Sequence, residues 1–270
     1  MIEKMKMVCV VSSVSRKDEM LDGLRSLGLL HLAEKKSPDR AVAERFTTLS
    51  KTAATLTDYA PDKKNKKKEP VPVLSDSEFE EMYQNVLATL DKKASLEQEI
   101  SAANAEIERI KAWGNFSPED VKRVKEDGYD LHFYRLGKNE YQMALQDPEI
   151  KMIALTPIDK MHTVAVLGAL PVTIPATEFT LPEKGIDELT AQIESCQTEI
   201  GTCEETLKKS SIYDTSFQVQ MLKAQNAENY SSASETAEND EDFVWISGYL
   251  PEADLPKFKA AATEHKWAWA

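Results

Sequence analysis

Histidine is the side chain most often used for proton transfer and metal binding near neutral pH. The sequence has four, at positions 31, 132, 162 and 265, and they fall in four separate predicted elements. His132 alternates with apolar neighbours, which favours a residue of a strand over a ligand. The spacing of the histidines therefore predicts no shared site.

Paired carboxylates can act as a general acid and a general base when they face the same reacting atom. Glu80-Glu81 and Glu204-Glu205 are such pairs, but both fall on the charged faces of predicted helices. The sequence also has no Walker-type loop, no Gly-x-Gly-x-x-Gly loop and no Gly-x-Ser-x-Gly elbow. We therefore predict no catalytic, cofactor-binding or metal-ligating residue, no cofactor, and a chain that is not an enzyme.

The three cysteines are Cys9, Cys196 and Cys203. On one helix, Cys196 and Cys203 would be two turns or about 10 Å apart, which is too far for a disulfide. No histidine stands near them at zinc spacing, and an odd number of cysteines fits a reducing compartment. We predict that both are small buried residues of a helix.

Lysines fill five of the six positions 63–68, and prolines follow at 70 and 72. Such a run could bind nucleic acid or acidic lipid. The interpretation we favour is a solvated loop between two helices, because self-repelling charge beside prolines does not fold readily. The net charge of −13 also argues against nucleic acid as a partner of the chain.

The elements that position these residues are dominated by helices with a heptad pattern. Apolar or small residues recur at alternating steps of three and four at Ile186, Leu189, Ile193, Cys196, Ile200, Cys203 and Leu207. A stripe this narrow needs a partner helix. The same rhythm occurs upstream at Leu96, Ile100, Ala103, Ile107 and Ile110. We predict that the two helices form an antiparallel coiled coil within one molecule.

The upstream helix is predicted to span residues 75–113. Ser75 as N-cap and Glu78 three residues later form a capping-box pattern, and Gly114 marks the end. The return helix starts after Gly185 and continues beyond Leu207, with interruptions at Ser210 and Asp214. Residues 230–242 carry five carboxylates and no lysine or arginine, and they are predicted to form a loop.

The two ends of the chain are predicted to share one lobe. Residues 4–14 and 29–33 read as strands around a helix that begins at Ser15 and ends at Gly28. The C-terminal part of this lobe has a strand at 243–250, a helix at 252–264, and the start of a further element at 267–270.

A second lobe is predicted within residues 129–181. Its predicted strands are 131–136, 150–156 and 163–167, with 179–181 as a fourth candidate. A short helix at 139–146 and a hairpin turn at Asp159-Lys160 connect them.

The predicted fold class is α+β: a dumbbell of two small α/β lobes joined by a long antiparallel coiled coil. The membrane-proximal lobe comprises residues 1–38 and 241–270. The rod comprises 39–113 and 185–230, and the distal lobe comprises 114–184. The longest apolar run, within the distal lobe, is about fourteen residues and short of the roughly twenty that a membrane helix needs. We expect the chain as given to be soluble.

The two ends of the chain also carry a resemblance. Residues 1–8 read MIEKMKMV, residues 27–32 read LGLLHL and residues 244–251 read VWISGYLP. Together they resemble the cytoplasmic N-terminal half of subunit I, also called subunit a, of the rotary V/A-type ATPases. That family usually has Trp and then Val or Ile before the proline at which this sequence has Tyr249 and Leu250. The replacements keep an aromatic and aliphatic pair.

The resemblance implies a non-catalytic stator subunit of a proton- or sodium-translocating ATPase. It implies peripheral-stalk subunits as partners, with the central-stalk cap subunit as a further candidate, and a position at the cytoplasmic face of the cell membrane. The chain would be a fragment, expected to be monomeric, whose C-terminal continuation forms the ion channel. Its aromatic end at Trp267 and Trp269 suits a membrane interface.

Two other functions remain open from the residues alone. A free-standing ligand-sensing module is one, because a βαβ unit plus a βα unit suggests a ferredoxin-like lobe. A tether that dimerises as a parallel coiled coil is the other.

Overall fold

The structure is a computed structural model that describes residues 4–60, 71–155, 157 and 160–270. The predictions for the lysine run 63–68, for Thr156 and for Asp159 therefore lie outside the described residues. The chain divides into two compact units. Unit 1 comprises Met1–Tyr83 with Lys208–Ala270, and unit 2 is Gln84–Leu207.

The described elements form a mixed helix and sheet fold in which helices predominate. The α-helices are α1 Lys17–Leu27, α2 Arg40–Thr57, α3 Asp76–Ile110, α4 Pro118–Glu126, α5 Lys138–Gln146, α6 Ile186–Ser210, α7 Asp214–Thr236 and α8 Leu255–Glu264. The strands are β1 Met5–Ser13, β2 His31–Leu32, β3 Leu131–Leu136, β4 Lys151–Ala154, β5 His162–Leu167, β6 Glu238–Asn239, β7 Phe243–Pro251 and β8 Ala268–Trp269. The predicted α+β class is confirmed. The dumbbell shape and the three domain boundaries stay predictions.

Unit 1 is built on an antiparallel sheet with the strand order β2-β7-β1-β8, and β6 pairs with β7. Helix α1 connects β1 to β2, and α8 connects β7 to β8. Both helices pack on the same face, because Met20 of α1 and Phe258 of α8 share one core with Val10 and Ile246 of the central strands. This is the ferredoxin-like arrangement of two split βαβ units.

The central strands β1 and β7 are paired over their full length, from Met5 opposite Pro251 to Ser13 opposite Phe243. Buried and accessible residues alternate along both strands, as expected when one face is covered. Gly248 allows β2 to approach β7, because a Cβ at this position would lie 2.5 Å from the carbonyl oxygen of His31. The close approach of β2 therefore requires glycine at position 248.

Local details of unit 1 differ from the prediction at four places. Strand β2 has two residues instead of five, and α1 begins at Lys17 instead of Ser15, which lies in a 3₁₀ turn, Val14–Arg16. Residues 230–236 are helical rather than a loop, since α7 continues to Thr236. Residues 268–269 form strand β8, where the sequence indicated only the start of an element.

Contacts distant in sequence explain the longer α7. Tyr230 and Ala233 pack against the core of the sheet. Ser231 Oγ accepts from the backbone nitrogen of Asp39 at 2.8 Å, and Ser232 Oγ donates to the carbonyl oxygen of Lys36 at 2.6 Å. Serines that weaken an isolated helix are here held in it by tertiary contacts.

Besides the sheet and its helices α1 and α8, unit 1 contains α2, α7 and the first turns of α3. Asp39 caps α2, because its side chain accepts from the backbone nitrogens of Ala41 and Val42. At α3, the Ser75 nitrogen donates to Glu78 Oε2 at 2.9 Å, and the Glu78 nitrogen donates to Ser75 Oγ at 3.4 Å. This reciprocal pair satisfies two free donors at the start of the longest helix.

Unit 2 contains the antiparallel sheet β3-β5-β4. Its core combines Tyr134 and Leu136 of β3 with Val164 and Val166 of β5, under Ala144 of α5. The three predicted strands and the short helix are confirmed within the described residues. The fourth candidate strand, 179–181, is wrong, because only an isolated bridge between Tyr134 and Glu178 forms there.

Among the described residues, no helix is both long and apolar enough to cross a membrane.

Candidate interaction surfaces

Within the described part of the chain, no three His, Cys, Asp or Glu side chains lie close enough together to hold a metal ion. The four histidines are placed on different elements: β2, β3, β5 and the end of α8. The structure does not bring them together.

Helices α3 and α6 pack against each other in unit 2 through the residues that share the heptad spacing. One cluster joins Ala103, Ile107 and Ile110 of α3 to Ile186, Leu189 and Ile193 of α6. A second cluster joins Leu96 and Ile100 to Cys196, Ile200 and Cys203. Sequence positions rise along α3 as they fall along α6, so the two helices run antiparallel. The return helix α6 therefore contacts α3, the upstream helix that the heptad spacing predicts as its partner.

Charged side chains flank this apolar contact. Lys92 Nζ lies 2.7 Å from Glu199 Oε2, and this hydrogen bond raises the pKa of Lys92. Lys93 Nζ lies 3.5 Å from Glu204 Oε1 across the helices and 2.9 Å from Glu97 Oε1 on its own helix. The carboxylates of these pairs are about half exposed to solvent, and such pairs contribute little to stability. Their positions match the register that the apolar residues set.

Cys196 and Cys203 lie between the helices, each with 5% of its surface exposed. Burial, and then the nearby carboxylate of Glu99, raise the pKa of the Cys196 thiol. Its Sγ lies 3.8 Å from Glu99 Oε2. Both effects disfavour the thiolate that reacts with electrophiles.

We therefore expect a thiol reagent such as 5,5′-dithiobis(2-nitrobenzoate) to modify Cys9 in the folded chain well before Cys196 or Cys203. Cys9 is partly accessible on β1, whereas the other two are buried. The measurement is the number of thiols released with time, against three in denaturant. A C9S variant should show almost no fast reaction, and two fast thiols in that variant would contradict the burial of the helix contact.

At the C-terminal end of α3, aromatic rings join this helix to the sheet of unit 2. Trp113 lies edge-on to Phe133 of β3, with centroids 5.3 Å apart, and 5.1 Å from Phe179. The guanidinium of Arg109 lies 4.5 Å above the ring of Phe179 and donates to the carbonyl oxygen of Thr180 at 2.9 Å. These contacts fix the end of α3 to the sheet.

His132 lies on β3, as its alternation with apolar residues predicts, and it is paired with two carboxylates. Nε2 lies 3.0 Å from Asp130 Oδ2, and Nδ1 lies 2.9 Å from Glu178 Oε1. The hydrogen bond to Asp130, and then the one to Glu178, raise the pKa of His132. Both partners are largely exposed, so this is a charge pair at the surface.

We expect the pair to contribute stability that is complete below the usual histidine pKa of 6.5 and is lost as the pH rises through the higher pKa of the folded state. An NMR titration of the His132 ring protons measures this pKa. The D130N/E178Q variant should lower it, and the control E149Q should not. An unchanged pKa in D130N/E178Q would contradict the pairing.

The uncovered face of the sheet in unit 1 is rich in apolar side chains, which the sequence analysis missed. On β1, Met5 and Met7 are 41% and 61% exposed, and on β7, Phe243 and Tyr249 are 55% and 43% exposed. Met7 stands opposite Tyr249 in the register. The signal was present in the sequence, because both strands are apolar on both faces rather than alternating with polar residues.

These features define a helix-rich protein of the α+β class with a ferredoxin-like sheet in one unit and a packed pair of helices in the other. No family model matches the chain. Two curated relatives are similar to it over almost all of its length. "V-type ATP synthase subunit I 1" of Treponema pallidum (strain Nichols) is 25% identical over 100% of this chain and 46% of the relative. "V-type ATP synthase subunit I" of Borreliella burgdorferi is 21% identical over 99% of this chain and 44% of the relative.

The chain thus spans less than half the length of the curated relatives it matches. A solved structure, described as the cytoplasmic N-terminal domain of subunit I, homolog of subunit a, of V-ATPase, is 12% identical with a TM-score of 0.37, covering 98% of this chain and 99% of its own. Both curated relatives carry the name of the subunit that the ends of this chain resemble, so the predicted resemblance is confirmed.

Proposed function

We propose that this chain is part of a subunit I of a V/A-type rotary ATPase and acts as a non-catalytic segment of its stator. The observation that carries the proposal is the similarity to two subunits of that name over almost the whole chain. The coupling ion of such a complex would be a proton or sodium. Ion passage itself would need residues outside this chain.

The mechanical role rests on the packed helices. A stator must resist torque while a rotor turns, and two packed helices bend less easily than one. Helix α3 has 35 residues and α6 has 25. At 1.5 Å per residue they are about 52 and 38 Å long. We propose that their contact is an antiparallel coiled coil within a dumbbell, with lobes at 1–38 plus 241–270 and at 114–184, and a rod at 39–113 plus 185–230.

The proposed partners are the peripheral-stalk subunits and, as a further candidate, the central-stalk cap subunit of the same ATPase. The proposed location is the cytoplasmic face of the cell membrane, with the membrane-embedded channel supplied by the remaining part of the subunit. The isolated chain would be a monomer, because its apolar heptad residues contact each other within unit 2.

Capture of the purified peripheral-stalk subunits by immobilised chain 1–270 tests this function. We expect saturable binding that survives a change of exposed residues such as S195D/T202D. Absence of binding to chain that is folded by circular dichroism would contradict the stator role.

A second candidate is a free-standing ligand-sensing module, which the ferredoxin-like strand order of unit 1 favours. Sequencing the gene past Ala270 separates the two. Codons for membrane helices directly after this position support the stator, and a stop codon supports the sensor.

The third candidate, a parallel dimeric tether, predicts a dimer in sedimentation velocity. The contacts between α3 and α6 predict a monomer instead.

A further inference from the structure

Unit 1 contains a cleft of about 550 Å³ between α1, the segment that carries β2, and α7. Its apolar wall is formed by side chains from all three and from the sheet: Leu21, Leu24, Leu30, Leu32, Ala233 and Ile246. The α7 wall runs from Asn226 to Ala233, which is two turns or about 10 Å. The volume lies within the range of roughly 300 to 1,000 Å³ that small-molecule sites occupy.

The charged residues that line this cleft are all positive. Arg25 of α1 and Lys35 after β2 line it, and none of the lining residues is an Asp or a Glu. This is unusual in a chain with a net charge of −13. The cleft is therefore complementary to an anion, against the charge of the molecule as a whole.

The donors at the cleft are also unused. In the described part of the chain, no hydrogen bond or ion pair engages the side chains of Arg25, Lys35, Asn226 or Asn229. Asn226 and Asn229 lie one turn apart on α7 and offer amide donors to the same cleft.

Two other lining residues are already engaged. The Tyr230 hydroxyl donates to Asp18 Oδ1 at 3.2 Å, and Ser232 Oγ donates to the carbonyl oxygen of Lys36 at 2.6 Å. Burial, and then Asp18 and Asp22, raise the pKa of Tyr230, whereas the charge of Arg25 lowers it, and neither carboxylate lines the cleft. The free donors are thus distinct from the groups that hold α7 to the rest of unit 1.

We propose that this cleft binds a small amphiphilic anion, with its apolar body on the leucine wall and its carboxylate or phosphate group bound by Arg25 and Lys35. Burial of the apolar body supplies affinity, and charge-assisted hydrogen bonds from Arg25 and Lys35 supply selection for the anion. A wall of about 10 Å favours a small molecule over a protein segment, since a stable protein interface covers about 800 Å² on each partner. The site is independent of the proposed stator role.

Calorimetric titration of chain 1–270 with monomeric decanoate, and separately with monodecyl phosphate, tests the proposal. Decanol provides the apolar body without the charge, and acetate provides the charge without the body. We expect one saturable site for decanoate or decyl phosphate. Decanol should bind at least about tenfold more weakly, the loss expected for one charge-assisted contact.

The variant R25E/K35E should weaken binding of the anion by about tenfold or more. The control K36E changes an exposed lysine next to the cleft that does not line it, and it should bind like the unchanged chain. R25Q/K35Q provides a milder change if R25E/K35E fails to fold by NMR. Equal affinity of R25Q/K35Q and K36E for decanoate would overturn the proposal.

Binding to a macromolecule would also overturn it. If neither amphiphile binds, but R25E/K35E loses capture of a peripheral-stalk subunit that K36E retains, the cleft is a protein docking site. If only vesicles containing phosphatidylglycerol bind in an Arg25-dependent way, the cleft recognises a membrane surface.

Discussion

Replacing Ile193 and Ile200 by aspartate is expected to separate α3 from α6 and to unfold the helices of unit 2. Ile193 belongs to one apolar cluster between these helices, and Ile200 belongs to the other. An unpaired carboxylate at such a position costs roughly 2 to 4 kcal/mol. Two such changes are comparable with the roughly 5 to 15 kcal/mol that holds a whole domain folded.

The matched control is S195D/T202D, which introduces the same charges on the same helix at the same spacing of seven. Ser195 and Thr202 are exposed, so only weak repulsion between like charges on one helix is expected, about 0.2 to 0.5 kcal/mol per pair. Circular dichroism gives the helical content, and hydrogen exchange assigns the loss to α3 and α6. Unchanged exchange in I193D/I200D would show that the apolar contact does not hold the helices.

Amide protection in the sheet of unit 1 provides a second readout. The core of this sheet is formed by residues of unit 1 alone, among them Val10, Ile246 and Phe258. We therefore expect the amides of β1 and β7 to remain protected in I193D/I200D. Their loss would mean that the two units unfold together.

The helix contact was predictable because its signal is local and periodic. The positions from Ile186 to Leu207 fix one face of a helix, and the upstream stretch from Leu96 to Ile110 has the same spacing. The capping box at Ser75 and Glu78 is equally local, since both groups lie within one turn. Such features are set by residues three to seven apart, which a sequence shows directly.

The features that escaped prediction depend on contacts distant in sequence. Strand β8 forms because Ala268 and Trp269 meet β1, more than 250 residues earlier. The end of α7 forms because Tyr230 meets the core of the sheet. No short pattern contains these contacts, and the composition of residues 230–242 indicates a loop.

The cleft of unit 1 could not be predicted from the sequence for a related reason. The cleft of unit 1 combines Arg25, Lys35 and Asn229, which are spread over about two hundred positions of the sequence. Each is an ordinary charged or polar residue by itself. Only the packing of α7 beside α1 places them around one apolar wall.

Truncating Phe217 to alanine is expected to destabilise unit 1 by about 3 to 5 kcal/mol. Phe217 is 2% exposed on α7 and lies edge-on to Phe79 and Tyr83 of α3, with ring centroids 5.0 and 6.2 Å apart. Loss of the ring leaves a cavity and removes both aromatic contacts. Urea unfolding measures the free energy, and hydrogen exchange assigns the loss to α2, α7 and the start of α3.

The matched control is L222A on the same helix. Leu222 is 60% exposed, so its truncation removes little buried surface and should change the free energy of unfolding by about 0.5 kcal/mol or less. The two variants remove apolar side chains five residues apart, so the helix propensity of alanine affects both similarly. Their difference therefore isolates the aromatic cluster. Similar stability of F217A and L222A would show that α7 is not held to α3 by this cluster.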